Sequence, residues 1–120
     1  MKLKKKIICF DLDNTICDTK TNIYTKSKPI KKNIKIINSL FDNGYYIKIF
    51  TSRYMGRSNE IPSVAKKRGY PLTVRQLNNW KVKYHKLIFG KPSYDLFVDD
   101  KALFFRKNWT KELSKILKKI

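Results

Sequence analysis

Nine residues near the start of the chain, IICFDLDNT at positions 7–15, constrain the fold more than any other stretch. The run from Ile7 to Asp11 is β-branched and aromatic, which is typical of a strand buried on both faces of a parallel sheet. Asp11 and Asp13 follow at its end and bracket one residue, so an extended backbone directs both carboxylates to the same face. Two like charges that close need a cation between them or a shared proton. Because ligands of open α/β sheets bind beyond the carboxyl ends of the strands, this stretch predicts a functional site.

Three further apolar runs predict strands. They lie at Tyr45–Phe50, within Val82–Phe89 and at Leu96–Val98, and the last is followed directly by Asp99 and Asp100. The polar segment 14–28 lacks helical periodicity and predicts a loop or a small hairpin over the site.

The segments between the strands carry helical patterns. Apolar residues from Ile30 to Phe41 recur at the helical period, and Asn43-Gly44 supplies a left-handed stop. A second helix is expected at 57–68, although Pro62 restricts it to the residues beyond Ile61, and Gly69-Tyr70-Pro71 ends it. Thr73 can cap a short helix at 74–80, and 109–120 predicts a closing amphipathic helix. This alternation predicts an α/β sandwich with a mostly parallel sheet, as one domain over residues 1–120.

The chain is strongly basic, with 28 Lys plus Arg against 9 Asp plus Glu and a net charge of +19. Such a charge raises the question of nucleic-acid binding. However, 23 of these residues are Lys and 5 are Arg, a bias that an AT-rich genome also produces, whereas nucleic-acid readers favour Arg. Both explanations stay open, and either way the field attracts anionic substrates.

Other features narrow the setting. No run of eighteen or more apolar residues predicts a membrane span, and no secretory signal is evident, so a cytoplasmic protein without a membrane partner is expected. Cys9 and Cys17 are expected to be reduced, and one histidine, His85, offers them little help in binding a metal. His85 is expected to be a satisfied surface or turn residue, and Trp80 and Trp109 to be core or helix-face residues.

Four strings together resemble a known family. DLDNT resembles the first motif, D-x-D-x-T, of the haloacid dehalogenase-like (HAD) phosphatases, and IFTSR, FGKPSYD and LFVDD resemble the second, third and fourth motifs in the same order. KPI at 28–30, IFTSRYM at 49–55 and the stretch 76–102 are similar to small members associated with capsule and surface-polysaccharide biosynthesis. The resemblance implies a three-layer sandwich with a Rossmann-like HAD core. About forty residues separate Asp13 from Thr51, which leaves no room for a substantial cap domain.

The resemblance also implies roles for individual residues. Asp11 would attack phosphorus and become an aspartyl-phosphate, while Asp13 would protonate the leaving oxygen and later activate water. Magnesium would be the cofactor. The further residues implied are Thr51, Ser52 and Lys91 as phosphate ligands, Asp11, Asp13, Asp99 and Asp100 as metal ligands, and Arg53 and Tyr24 as substrate contacts.

Some of these assignments have rivals. Lys86 competes with Lys91 for the phosphate, and Asp99 is preferred to Asp100 as the direct metal ligand without being decided. Arg53 either reaches the substrate or pairs with an acid.

The function that the resemblance implies is Mg2+-dependent hydrolysis of a phosphomonoester, with a small phosphorylated sugar of polysaccharide biosynthesis as the substrate. The alternative is a nucleotide or polynucleotide end phosphatase, which the charge and an open cleft would suit. A third hypothesis is a basic binding module without turnover. Whether the chain forms a homo-oligomer is left open.

Overall fold

A computed structural model of the protein describes residues 6–118, except the side chain of Lys118. The described residues form five strands and three α-helices. The strands are β1 (Ile7–Asp11), β2 (Cys17–Asp18), β3 (Lys28–Pro29), β4 (Tyr46–Thr51) and β5 (Lys86–Phe89), and the helices are α1 (Lys31–Asp42), α2 (Pro62–Asn79) and α3 (Trp109–Lys118).

Three strands form a parallel sheet in the order β1-β4-β5. Their register places Asp11 beside Phe50, and Thr51 beside Phe89. The three strands therefore end at one edge of the sheet, and Asp11 and Thr51 lie there with the loop that follows β5. The expected α/β class with a parallel sheet is confirmed.

One face of the sheet packs against the hydrophobic core. In β4 the alternate residues Ile47, Ile49 and Thr51 are buried, as the two-residue period of a strand requires. Ile7 and Cys9, whose side chains alternate with that of Phe10, are exposed. The core contains buried residues from all three helices, namely Ile34, Ile37, Leu77, Trp109 and Leu113. The third layer and the Rossmann-like HAD core stay predictions.

The predicted helix after residue 30 is confirmed as α1, and Gly44 follows it with a φ of +91°. Closing helix α3 is also confirmed for the described residues. The predicted helix end at 119–120 lies outside the described residues.

The prediction of two separate helices between 57 and 80 is wrong, because α2 runs without interruption from Pro62 to Asn79. Pro62 occupies the first turn, where its missing N–H costs no helical hydrogen bond. Pro71 lies inside the helix on its exposed side. Gly69 does not end the helix; it leaves space for an aromatic ring from a neighbouring loop. Thr73 is buried within α2 and caps nothing.

The segment after Asp13 forms the expected small hairpin. Strands β2 and β3 pair antiparallel, with Cys17 opposite Pro29, and a short 3-10 turn at Tyr24–Lys26 joins them. This hairpin, residues 17–29, is called the flap below.

The predicted strand at 96–98 is wrong. Residues 92–108 contain no helix or strand, and Leu96 and Val98 are 81% and 87% exposed. A three-residue run becomes a strand only where a neighbour completes its hydrogen-bond ladder, and none of the strands described here pairs with this one. Among residues 6–118, no helix combines the length and the apolar character that crossing a membrane requires.

Candidate active site

Asp11 ends β1 with its carboxylate between a cation and a hydroxyl. Lys91 Nζ lies 3.2 Å from Oδ1, and Thr15 Oγ1 donates a hydrogen bond of 3.2 Å to Oδ2. The Asp11 side chain keeps 37% of its surface exposed, whereas that of Lys91 keeps 11%. A carboxylate is thus presented to solvent while a nearly buried ammonium group fixes its position.

Lys91 reaches Asp11 because β5 ends beside β4. Its backbone N–H donates to the carbonyl of Thr51, and Gly90 before it adopts a φ of +107°. Burial alone would lower the pKa of Lys91, but its interactions with Tyr94 and with the carboxylate of Asp11 outweigh this effect, so the pKa is raised above its ordinary value. Lys86 lies exposed at the opposite end of β5. Of the two rival lysines, Lys91 is the one that the fold brings to Asp11.

Asp13 is held by a dense set of donors. Arg53 contacts both of its oxygens, with Nη2 at 2.9 Å from Oδ1 and Nε at 3.0 Å from Oδ2. Thr19 Oγ1 donates a further hydrogen bond of 2.5 Å to Oδ1. The Asp13 side chain is 22% exposed. Its carboxylate therefore has a fixed orientation two residues from Asp11.

Arg53 is almost completely buried, at 1% exposure, and joins three parts of the molecule. Besides Asp13, its guanidinium donates to Ser27 of the flap and to Thr73 and Gln76 of α2. Gln76 in turn donates to the backbone carbonyl of Tyr24 in the flap. Of the two expectations for Arg53, the structure shows pairing with an acid.

Thr51 and Ser52 lie at the end of β4. Thr51 is 1% exposed, and its Oγ1 accepts a hydrogen bond of 3.1 Å from the Arg53 N–H. Ser52 is half-buried, and its carbonyl accepts a hydrogen bond from the N–H of Met55. The backbone turn after β4 is thereby ordered beside Asp11. Phosphate binding by Thr51, Ser52 and Lys91 stays a prediction.

Tyr24 belongs to the flap and meets the loop after β4. Its ring centroid is 4.9 Å from that of Tyr54, and the guanidinium of Arg53 lies 4.9 Å from the Tyr24 ring. Burial raises the pKa of Tyr24, so its hydroxyl is uncharged at neutral pH. The flap and the loop at 53–59 are thus in contact.

Asp99 and Asp100 do not join Asp11 and Asp13 in a common group of acids. Both are exposed, and Asp99 Oδ1 accepts a hydrogen bond from the N–H of Lys101 two residues along. Between residues 6 and 118, no group of three or more carboxylate, thiol or imidazole side chains is positioned to hold a metal ion. Asp11 and Asp13 supply oxygen donors of the kind that Mg2+ prefers, and they fit part of such a site.

Sequence reasoning missed five polar residues of the site, all of which have a signal in retrospect. Thr15 stands within the D-x-D-x-T string itself. Thr73 and Gln76 are three residues apart, which places two polar side chains on one face of a helix. Thr19 and Ser27 carry the weakest signal, because a polar residue in a predicted loop normally faces water.

Both cysteines are free thiols, and Cys17 contacts the site. They are not bridged to each other, and Cys17 is buried, which raises the pKa of its thiol to about 11. Its sulfur lies 3.6 Å from Asp13 Oδ1. His85 stacks on Phe41 and Tyr46 and accepts a hydrogen bond from the Ile47 N–H, as expected of a satisfied residue outside the site.

Comparison with solved structures found a likeness of fold. The crystal structure of an MCSG target from Vibrio cholerae matches with a TM-score of 0.81 and 22% sequence identity, covering 95% of this chain and 98% of that chain. Neither a scan against protein-family models nor a search of curated proteins gave a match. The two chains share a fold over nearly their whole lengths.

Proposed function

We propose that this protein is a Mg2+-dependent phosphomonoester hydrolase of the HAD type, in which Asp11 is the nucleophile. The observation that carries the proposal is the partly exposed Asp11 carboxylate at the end of a parallel strand, with the Lys91 ammonium 3.2 Å away. A phosphate ester resists an anionic nucleophile, so a fixed positive charge beside that nucleophile is the chemistry such a reaction needs.

In the proposed reaction, an oxygen of Asp11 attacks phosphorus and the bond from phosphorus to the ester oxygen breaks. Asp13 gives its proton to the leaving oxygen, which departs as an alcohol. Asp13 then takes a proton from water as the water attacks the aspartyl-phosphate, and inorganic phosphate leaves with Asp11 restored. The hydrogen bonds from Arg53 and Thr19 fix the orientation of the Asp13 carboxylate, and this geometry supports its role in the second step, where it takes a proton from water.

Lys91, Thr51 and Ser52 would bind the phosphoryl oxygens. Lys91 remains charged at neutral pH, since its pKa is raised, and it enters the site from the same edge as Asp11. The side chain of Asp11 and the backbone carbonyl of Asp13 would hold Mg2+, which usually keeps several water ligands and so needs few protein oxygens. When bound, the ion neutralises negative charge on the phosphate oxygens.

The proposed substrate is a sugar phosphate of polysaccharide biosynthesis. The support is the resemblance of segments 28–30, 49–55 and 76–102 to capless members of that branch. The flap and the loop after β4 also suit a small substrate, because they meet beside Asp13. The alternative, a nucleotide or polynucleotide end phosphatase, is favoured by the net charge of +19.

The test is phosphate release from a panel of sugar phosphates, nucleotides and 5′- or 3′-phosphorylated oligonucleotides, with and without Mg2+, using Asp11→Asn as the control. We expect Mg2+-dependent release from sugar phosphates and none from Asp11→Asn. Salt-sensitive turnover of oligonucleotide ends alone would favour the alternative. Ligand binding without turnover by either protein would favour the binding module.

A further inference from the structure

Three side chains form a distinct surface where the flap meets the loop after β4. We call Tyr24, Tyr54 and Arg57 the aromatic rim. The two rings are 4.9 Å apart at a tilt of 50°, and the Arg57 guanidinium lies 5.1 Å from each ring centroid. The guanidinium of Arg53, which binds Asp13, lies 4.9 Å from the centroid of the same Tyr24 ring. The rim therefore borders the proposed active site.

The rim is held in place at an energetic cost. Tyr54 has a φ of +66°, a conformation that a bulky residue rarely adopts. Its ring occupies the space where Gly69 of α2 lacks a side chain, since a Cβ at Gly69 would lie 2.5 Å from Tyr54 Cδ2. Strained residues that the surrounding structure holds in place cluster at binding and catalytic sites.

Arg57 retains hydrogen-bonding capacity in this setting. It is exposed, and its side chain donates to the backbone carbonyl of Asn22 in the flap. A guanidinium group has five N–H donors in a planar fork, and this fork matches the two oxygens of a carboxylate. The carbonyl of Asn22 accepts from Nη2 of Arg57, and the rings of Tyr24 and Tyr54 hold the rest of the guanidinium in place.

We propose that the aromatic rim is a second subsite that makes the enzyme selective for acidic sugar phosphates. This inference rests on the proposed function, because the phosphate of the same substrate would bind at Asp11. The sugar ring would lie against the exposed side of the rim, and its carboxylate would receive hydrogen bonds from Arg57. No bond forms or breaks at the rim.

The test compares two substrates that differ only in a carboxylate, glucuronate 1-phosphate and glucose 1-phosphate. Wild-type protein should hydrolyse the glucuronate ester with the higher kcat/KM, and Arg57→Gln should reduce that preference about tenfold or more, as expected for a lost hydrogen bond between charged groups. Arg75→Gln removes the same charge from an exposed position of α2, and it should leave the preference unchanged. An equal preference in wild type and Arg57→Gln would overturn the proposal.

A binding arm separates this proposal from the proposed function. Calorimetric titration of wild type, Arg57→Gln and Arg75→Gln with both esters in the absence of Mg2+, where the proposed hydrolysis does not proceed, measures recognition without turnover. If neither ester is hydrolysed but wild type still binds the glucuronate ester more tightly and Arg57→Gln does not, the subsite stands and the hydrolase proposal falls. If both esters are hydrolysed with equal KM and bound with equal affinity, the subsite falls and the hydrolase stands.

Discussion

The edge of the sheet around Asp11 and the segment 92–108 each contain an apolar run that ends in an acid, yet the first run forms a paired strand and the second does not. Asp11, Asp13 and Arg53 are fixed by strand register, an ion pair and hydrogen bonds from three elements. In 92–108, by contrast, Leu96 and Val98 are largely exposed, and the acids that follow them bond locally. Similar sequence patterns, apolar residues followed by acids, thus become an anchored strand in one place and an exposed loop in the other.

The difference lies in what surrounds each run. The strand β1 gains a partner, β4, through a crossover helix, and Phe10 packs on Trp109 at 5.9 Å between ring centroids. Within the part of the chain that the structure describes, the run at 96–98 has neither a strand partner nor a buried face. Positioned charge at the site therefore comes from the anchored edge, and variants there should have far larger effects than variants in 92–108.

The largest effect is expected at Lys91. In the proposed reaction, Lys91→Gln should lower kcat about 100-fold to 1,000-fold, because it removes a charge that would lie beside the phosphate. Lys86→Gln is the matched control and should leave kcat unchanged, since Lys86 is exposed at the far end of β5. Equal losses in the two variants would show that general positive charge, rather than the position of Lys91, supports the reaction.

The charge of Lys91 also determines how kcat should depend on pH. The pKa of Lys91 is raised in the folded protein, so its ammonium group is fully charged at neutral pH. The stabilisation that this charge would give to the phosphate is lost only as the pH rises past the raised pKa. The kcat of wild type should therefore show no decline attributable to Lys91 below about pH 10. A pH profile of phosphate release on a substrate that is stable in alkali measures this. A decline near pH 8 that Lys91→Arg abolishes would contradict it.

Arg53→Ala should destabilise the fold by about 3 kcal/mol, because it leaves the partly buried Asp13 carboxylate without its partner and strips donors from Thr73, Gln76 and Ser27. Urea denaturation followed by circular dichroism measures the loss. Arg75→Ala, an exposed arginine of α2, should change stability by less than about 0.5 kcal/mol. Similar values for the two variants would mean that the Arg53 network contributes little.

Gly69→Ala should cost about 1 kcal/mol. Alanine favours a helix by about that amount, but its Cβ would collide with the Tyr54 ring, and overpacking costs about 1–3 kcal/mol. In a Tyr54→Ala background the collision with Tyr54 is absent and a contact of 3.0 Å with Phe89 Cε2 remains, so the same change should cost less than it does in wild type. A double-mutant cycle with no coupling between the two positions would show that the ring does not depend on Gly69.

The smallest effect is expected in 92–108. Val98→Ala should change stability by less than about 0.5 kcal/mol, because Val98 is 87% exposed. The identical change at Val82, which is buried in the core, should cost about 2 kcal/mol. Denaturation of the two variants under the same conditions compares them directly. A large loss at Val98 would mean that this segment packs against the sheet in solution.

Sequence patterns predicted the elements in which periodicity, flanking residues and packing agree. Helix α1 has a clear apolar stripe and a glycine stop, and strand β4 alternates buried and half-buried residues. The patterns failed for α2, where Pro71 and Gly69 indicate a break but tertiary contacts, including the fit of the Tyr54 ring, keep one helix. They also failed at 96–98, because an apolar run does not reveal whether a partner strand is present.

The site was predictable to a similar degree. Asp11 and Lys91 could be placed together because their strands end at the same edge of a parallel sheet. The buried network of Arg53 could not, since Thr73, Gln76 and Ser27 come from a helix and a loop whose relative positions depend on packing. The sequence therefore identifies candidates for the chemistry, while the residues that orient them require the structure.

The most direct test of the central claim is to trap the covalent intermediate. Wild-type protein is mixed with a substrate found in the panel and Mg2+, then quenched and reduced with borohydride, which converts an aspartyl-phosphate to homoserine. Mass spectrometry of the peptide that contains residues 7–15 should show homoserine at position 11 and unmodified Asp13. Steady phosphate release with no modification at Asp11, or with modification at Asp13 instead, would contradict the account.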